Sequence, residues 1–318
     1  MEIILLGEKF STKYATRNIS SVAIRFDNYN ESCLFDCGEG TQHYILFSSL
    51  KSRQIKRIMI SELNSDSCLG IVGLLATFSL NERITALDIY APPGFCKYLR
   101  LFSRYSQTNF SYPVNFFSIQ EGIICSFSEY QVLASSLRSY PEIYGYSIIE
   151  KERMGKFKID YAQNFKIPPG PLYKNLKIRD KFILNNGLVI SGKHFCEQPK
   201  RGRKLTYITH LNYNPKIIEA SWKTDVLLIN KNINIEYSNS SIHISSLNNL
   251  NLIKKIFRKA QIQNCTFTRP ITFKNRKKIF IFCLSKISNK KVKSFQFDLT
   301  PTTVYRIKAQ YIFDKIKF

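Results

Sequence analysis

No Cys-x-x-Cys pair occurs among the eight cysteines of this 318-residue chain, which stand at positions 33, 37, 68, 96, 125, 196, 265 and 283. Such scatter supports neither a zinc ribbon nor a dithiol redox motif, and reduced, mostly buried thiols in a reducing compartment are the expectation. No apolar run is long enough to span a membrane. The opening residues, Met1-Glu2-Ile3-Ile4-Leu5-Leu6-Gly7-Glu8-Lys9-Phe10, carry acids and only a short apolar run, so they predict a first strand rather than a signal peptide. There is no internal repeat at a fixed short period, which speaks against a solenoid. Acids are scarce. With 23 Asp and Glu against 47 Lys and Arg, the net charge is +24 and the pI near 9.7.

A field of that sign and size favours polyanions, meaning nucleic acid or an anionic membrane surface. Aromatic content of 14% supplies surfaces on which bases could stack. The chain is also rich in Lys, Asn, Ile, Phe and Tyr, residues of A/T-rich codons. Codon drift therefore contributes to the positive charge, and charge alone does not fix the partner. The length and an apolar content of 44% suit one large α/β domain with a sizeable core.

Strand signals recur along the first half. Ser21-Val22-Ala23-Ile24-Arg25-Phe26 alternates in the strand manner, and Ser32-Cys33-Leu34-Phe35 is a second apolar run. Asp36-Cys37-Gly38-Glu39-Gly40 breaks it sharply, with two glycines to let the backbone pass under a site. Arg57-Ile58-Met59-Ile60 predicts a strand, residues 61–67 a loop, and Cys68-Leu69-Gly70-Ile71-Val72-Gly73-Leu74-Leu75 a helix. Further strands are expected at 86–90, 145–150, 188–191, 205–208 and 225–229, and a helix over 246–260. Residues 151–185, with their prolines, glycines and lysines, read as an excursion from the core and not as a buried element. The stretch 276–318 reads as a basic, partly irregular tail.

Five motifs follow in order: Arg17-Asn18-Ile19-Ser20-Ser21, the segment from Phe35 through Asp36-Cys37-Gly38-Glu39-Gly40-Thr41 to Gln42, Tyr144-Gly145-Tyr146 with Glu150, Pro168-Pro169-Gly170-Pro171-Leu172-Tyr173, and Lys200-Arg201-Gly202-Arg203-Lys204. Together they resemble ribonuclease Z, the metallo-β-lactamase-fold endonuclease family that trims tRNA 3′ ends. The likeness covers roughly residues 1–275. It implies a single αββα metallo-β-lactamase-like domain over 1–318, with 151–185 as an inserted arm that grips tRNA. It also implies a homodimer. Lysines fix phosphates without reading sequence, which suits recognition of tRNA by shape. Lys156, Lys158, Pro168, Pro169, Gly170, Pro171, Leu172, Tyr173, Lys174 and Lys177 are the expected RNA-binding residues, joined by Lys151, Arg153, Lys166 and Arg179 around the same turn.

The family holds two zinc ions with a Thr-His-Leu-His-Gly-Asp-His loop and further ligands, and the ions lower the pKa of a bridging water. Here that loop reads Ser61-Glu62-Leu63-Asn64-Ser65-Asp66-Ser67, so only Asp66 matches. Ser139, His210 and Cys265 stand at further ligand positions, and Asn230 replaces a supporting Glu. Serine is a poor zinc ligand and a neutral amide oxygen a weak one, so no metal ligands and no cofactor are assigned. Asp66, Glu62 and His210 could at most hold one hard ion such as Mg²⁺ or Mn²⁺. Asp66 and His243 are the candidate catalytic residues; the alternative for Asp66 is an N-cap on the following helix, and for His243 a phosphate contact or a hydrogen bond in the emptied cavity. His43 reads as a helix-surface residue and His194 as a loop or strand-edge residue. The expected function is binding of tRNA precursors without two-zinc cleavage. The alternatives are a residual endonuclease using Asp66, with one weak metal or a heterodimer with an intact homologue, and a remnant without RNA role. The partner is a tRNA precursor and not a membrane. The codon signature suggests a plastid, with bacterial cytoplasm as the alternative.

Overall fold

The computed structural model describes residues 1–6, 21–26, 30–152, 155–165, 167–178, 181–183, 187, 189–199, 201–209, 214–230, 255–256 and 258–262. It gives the backbone alone for 233–235, 237–238, 241–242, 264–267, 271–273, 276–280, 302–307 and 313–316. The chain forms two compact units. The larger comprises Met1–Cys125, Val132–Ile148 and Leu205–Phe318, and the smaller Ser126–Gln131 and Ile149–Lys204.

Two sheets carry the larger unit. The first has eight strands in the order Phe313–Ile316, Thr302–Ile307, Glu2–Leu6, Ser21–Phe26, Glu31–Phe35, Ile55–Met59, Leu87–Ala91 and Val114–Ser118. Its first half is antiparallel; from Glu31–Phe35 onward every pairing is parallel. Parallel strands need crossovers, and helices α1 (Thr41–Leu46), α2 (Ser65–Cys68), α3 (Ile71–Leu80) and α4 (Phe95–Ser106) lie within them. The apolar residues of α3 and α4 explain their seats: Ile71, Leu74, Leu75, Phe78, Phe95 and Leu99 are buried in one cluster with Ile4, Leu34, Ile58, Leu87 and Ile89 of the sheet. The second sheet orders six strands as Asn264–Phe267, Val226–Ile229, Lys204–Ile208, Glu142–Glu150, Tyr130–Ser139 and Gly122–Ser126. Between the two sheets Phe35 meets the rings of Tyr146 and Tyr207, with centroids 5.6 and 5.5 Å away.

The expected strands all form; the one expected at 145–150 starts three residues earlier, at Glu142, and the first occupies Glu2–Leu6 of the opening segment. Of the helix expected over 246–260, residues 255–256 and 258–260 are helical, and the rest lies outside the described residues. Within the basic stretch 276–318, the described residues Arg276–Phe280, Thr302–Ile307 and Phe313–Ile316 form strands, and Thr302–Ile307 pairs antiparallel with Glu2–Leu6. All six described cysteines are free thiols, five of them buried. Among the described residues no helix is long and apolar enough to cross a membrane.

The smaller unit corrects one expectation. Residues 151–185 do bury side chains, in a core of their own. Helices α5 (Ile159–Asn164) and α6 (Pro171–Lys177) and the hairpin of Lys181–Ile183 with Val189–Ser191 enclose Ala162, Ile167, Leu176, Ile190 and Phe195. Average composition hid these few apolar positions among the lysines. Pro171 opens α6, where its missing N–H costs nothing and its fixed φ suits the helix. Two of the resembling motifs turn out to be one contact. Arg203 holds Glu150 through two parallel bonds, Nε to Oε2 at 2.6 Å and Nη2 to Oε1 at 2.5 Å. Beside it, a Cβ on Gly202 would stand 1.7 Å from the Glu150 carbonyl oxygen, so only glycine fits there. Helix α7 (Pro215–Ala220) belongs to the larger unit and is capped by the Asn214 side chain.

Candidate functional site

The loop at 61–67 hangs from the end of Ile55–Met59 and is tied down on three sides. Ile60 donates its N–H to the Tyr90 carbonyl, and Tyr144 donates its N–H to the Ser61 carbonyl at 2.9 Å. The Tyr146 hydroxyl donates to the Ile60 carbonyl. Below, the glycine turn is stitched to α2 by main-chain bonds: Cys37 N–H to the Ser67 carbonyl at 2.7 Å, and Gly70 N–H to the Cys37 carbonyl at 2.9 Å. The two segments approach so closely that a Cβ on Gly70 would lie 1.8 Å from the Gly38 oxygen. The close approach is thus permitted by Gly70; of the two glycines the expectation fell on, Gly40 takes a left-handed φ of 78°.

Asp66 does not cap the helix. Asn64 does, with extended φ and ψ and its side-chain oxygen accepting from Ser67 N–H at 2.8 Å. A cap must stand outside the helix, two or three residues before the donor it serves. Asp66 already lies inside the first turn and is exposed.

Asp36 lies fully buried beneath the loop, in a left-handed conformation with φ of 55°. Its Oδ1 accepts from Ser61 N–H at 2.7 Å, and the Ser61 hydroxyl lies 2.8 and 2.9 Å from the two carboxyl oxygens. Tyr207 donates its hydroxyl to Oδ2 at 2.7 Å, and Asn230 donates Nδ2 to the Tyr207 oxygen at 2.7 Å. A phenol has one proton, so Tyr207 must accept from Asn230 once it donates to Asp36. Burial raises the Asp36 pKa to about 7; the bonds from Ser61 and Tyr207 oppose the rise, and the nearby Glu62 charge adds to it. Burial likewise pushes the Cys37 thiol up to about 12 and that of Cys68 to about 11, which makes both poor nucleophiles and poor ligands.

Glu62 is buried beside this network, whereas Ser139 is exposed at the end of its strand. His210 and His243 lie outside the described residues, and Cys265 is placed in Asn264–Phe267 by its backbone alone. Among the described residues, no group of three or more His, Cys, Asp or Glu side chains could hold a metal ion. Sequence reading singled out the glycine turn but missed Asp36, Ser61 and Tyr207. A carboxylate closing an apolar strand was the available signal.

In the smaller unit Lys156, Lys158, Lys174 and Lys177 are exposed, as are Pro168, Pro169, Gly170 and Pro171. Leu172 and Tyr173 are half-buried. Tyr173 faces its own core: its hydroxyl donates to the Ile167 carbonyl at 3.0 Å, and its ring sits 4.8 Å from that of Phe157. Lys166, Arg153 and Arg179 lie outside the described residues. His43 is exposed on α1 and His194 on the short turn Gly192–Phe195.

Two stacked sheets with helices in the crossovers of the first have known counterparts. Human tRNase Z, short form, matches with a TM-score of 0.56 over 86% of this chain and 93% of that one, at 18% identity. YhfI of Bacillus subtilis, a metallo-β-lactamase fold protein, matches with a TM-score of 0.50 over 84% of each chain, at 11% identity. The chain thus has the metallo-β-lactamase fold. No family model matches it. In sequence it is 41% identical to the ribonuclease Z of a Cyanothece strain over 72% of this chain and 71% of that one. It is also 41% identical to the ribonuclease Z of Acaryochloris marina over 72% and 73%. The chain belongs to the ribonuclease Z family.

Proposed function

We propose that this protein serves tRNA 3′-end maturation by binding tRNA precursors and has lost the two-zinc hydrolytic site of its family. Side-chain chemistry at the loop carries the reading. Where the resemblance calls for three histidines, this chain has Glu62, Asn64 and Ser67. The Asn64 oxygen is engaged by Ser67 N–H, and the neighbouring Ser61 hydroxyl by Asp36. A serine hydroxyl and an occupied amide oxygen do not hold zinc, so the described loop residues do not fit a dinuclear site. The arm, in contrast, keeps Lys156, Lys158, Lys174 and Lys177 exposed on a unit with its own core.

The adjacent exposed side chains of Leu46 and Phe47 at the end of α1 support association, as a homodimer or with an intact homologue. The A/T-rich codon signature and the cyanobacterial relatives support a plastid setting.

Binding tests the reading. A tRNA precursor should bind more tightly than an unrelated RNA of equal length. Replacing Lys156, Lys158, Lys174 and Lys177 together by Gln should flatten the dependence of log K on log salt by about 3. Equal affinity for the two RNAs would contradict it.

A further inference from the structure

We propose that the outward face of α4 is a second RNA-binding surface, which takes the single-stranded 3′ trailer of a tRNA precursor. The inference rests on the tRNA reading above and names a contact which that reading does not contain. At about 100° per residue, Phe95, Leu99 and Phe102 point to one side of α4, and Arg100, Arg104, Lys97, Leu101 and Tyr105 follow one another over an arc of about 140° on the other. Phe95 and Leu99 are buried, whereas Tyr105 is 82% exposed and Leu101 44% exposed. The helix contains no acid. Among the described residues none of Lys97, Arg100 and Arg104 makes an ion pair or a hydrogen bond, although free cations of a folded surface commonly find a carboxylate. Three unpaired cations on two helical turns, beside an upright tyrosine, offer phosphate contacts and a stacking platform together.

The position of the helix says which part of an RNA would reach it. α4 begins beside the loop at 61–67: a Cβ on Gly94, its N-cap, would stand 3.6 Å from Leu63 Cδ1. From there it runs 12 residues, about 18 Å. A strand lying at the loop and continuing along this face would be unpaired RNA, the state in which bases can stack on a side chain. An anionic membrane surface fits less well. Phe95 and Leu99 on the apolar side of α4 are taken up by the protein core, which leaves Leu101, Phe102 and Tyr105 to insert, far less than an interfacial helix buries.

The test compares one tRNA carrying an unpaired 3′ trailer with the same tRNA lacking it. Lys97→Gln, Arg100→Gln and Arg104→Gln combined should weaken the trailer-bearing RNA at least about tenfold near 0.1 M salt and flatten its salt dependence by about 2. Tyr105→Ala alone should weaken it without changing the salt dependence. The trailerless tRNA should bind each variant like the wild type. If the triple variant binds both RNAs normally while the arm variant weakens both, the α4 surface is wrong and the tRNA reading stands. Equal losses on both RNAs would move the contact to the folded tRNA and overturn the trailer assignment. Should the wild type bind neither RNA, the tRNA reading itself fails. Capture by phosphatidylserine vesicles that the triple variant loses would make the face a membrane surface and overturn the proposal.

Discussion

Asp36→Asn should abolish a fall in stability that the wild type shows as pH rises from 5 to 7. In the folded protein burial holds the Asp36 pKa near 7, against 3.8 ordinarily. Between these values the folded state keeps a proton that the unfolded chain has released. Unfolding then releases a proton, so stability declines with rising pH through this window and levels off above the folded pKa. Across pH 5 to 7 the decline amounts to about 2 kcal/mol, on the scale of 1.4 kcal/mol per unit. Urea midpoints at pH 5, 6, 7 and 8 measure it. Asparagine has no proton to exchange, so the variant should lose that contribution. Tyr207→Phe removes a bond that favours the ionised carboxylate, and should move the inflection to higher pH. A wild-type profile that rises from pH 5 to 7 and is unchanged in Asp36→Asn would show that the buried carboxyl does not titrate as described.

Gly70→Ala should cost about 3 kcal/mol, near the upper end for overpacking. The added methyl meets the Gly38 carbonyl at 1.8 Å, and the Cys37 carbonyl is also 3.0 Å away. Both are main chain and belong to a turn held by its own bonds: Thr41 Oγ1 donates to the Gly38 carbonyl at 2.6 Å, and Cys37 N–H to the Ser67 carbonyl. Neither partner can move without breaking a bond. Gly73→Ala is the control three residues along the same helix. Its methyl would meet only the end of the Gln42 side chain, at 3.0 Å. Alanine is the better helix former by about 1 kcal/mol, so this change should be near neutral or mildly stabilising. Chemical denaturation separates the two. Similar losses in both variants would mean that the turn and α2 do not meet as closely as the fold places them.

Much of this architecture could be read from the residues. Runs such as Asp225-Val226-Leu227-Leu228-Ile229 and Arg57-Ile58-Met59-Ile60 predict strands because a parallel strand buries both faces, and the apolar residues of both are buried. The residue types of the loop were equally plain: Glu62, Asn64 and Ser67, where the resemblance calls for histidines, are visible without coordinates. What could not be read was pairing over long sequence distance. Asp36 and Tyr207 are 171 residues apart, yet they share a hydrogen bond inside the core. Glu150 and Arg203 were quoted in separate motifs and prove to be one bidentate pair. The cap was misplaced for a local reason: Asn64 and Asp66 are both good caps by type, and only φ and ψ decide which of them stands outside the helix. Nor does periodicity reveal that Tyr173 bonds the Ile167 carbonyl and stands beside Phe157 within the arm.

Cleavage is the most direct test of a tRNA-binding protein without its hydrolytic site. Excess purified protein would be mixed with a tRNA precursor bearing a 3′ trailer in a single-turnover assay, with Zn²⁺, Mn²⁺ and Mg²⁺ supplied in turn and Asp66→Asn run in parallel. The account predicts binding and no cut after the discriminator base with any of the three ions. A cut there that disappears in Asp66→Asn would contradict it, and would mean that hydrolysis has been rebuilt around the one acid this loop keeps from the family pattern.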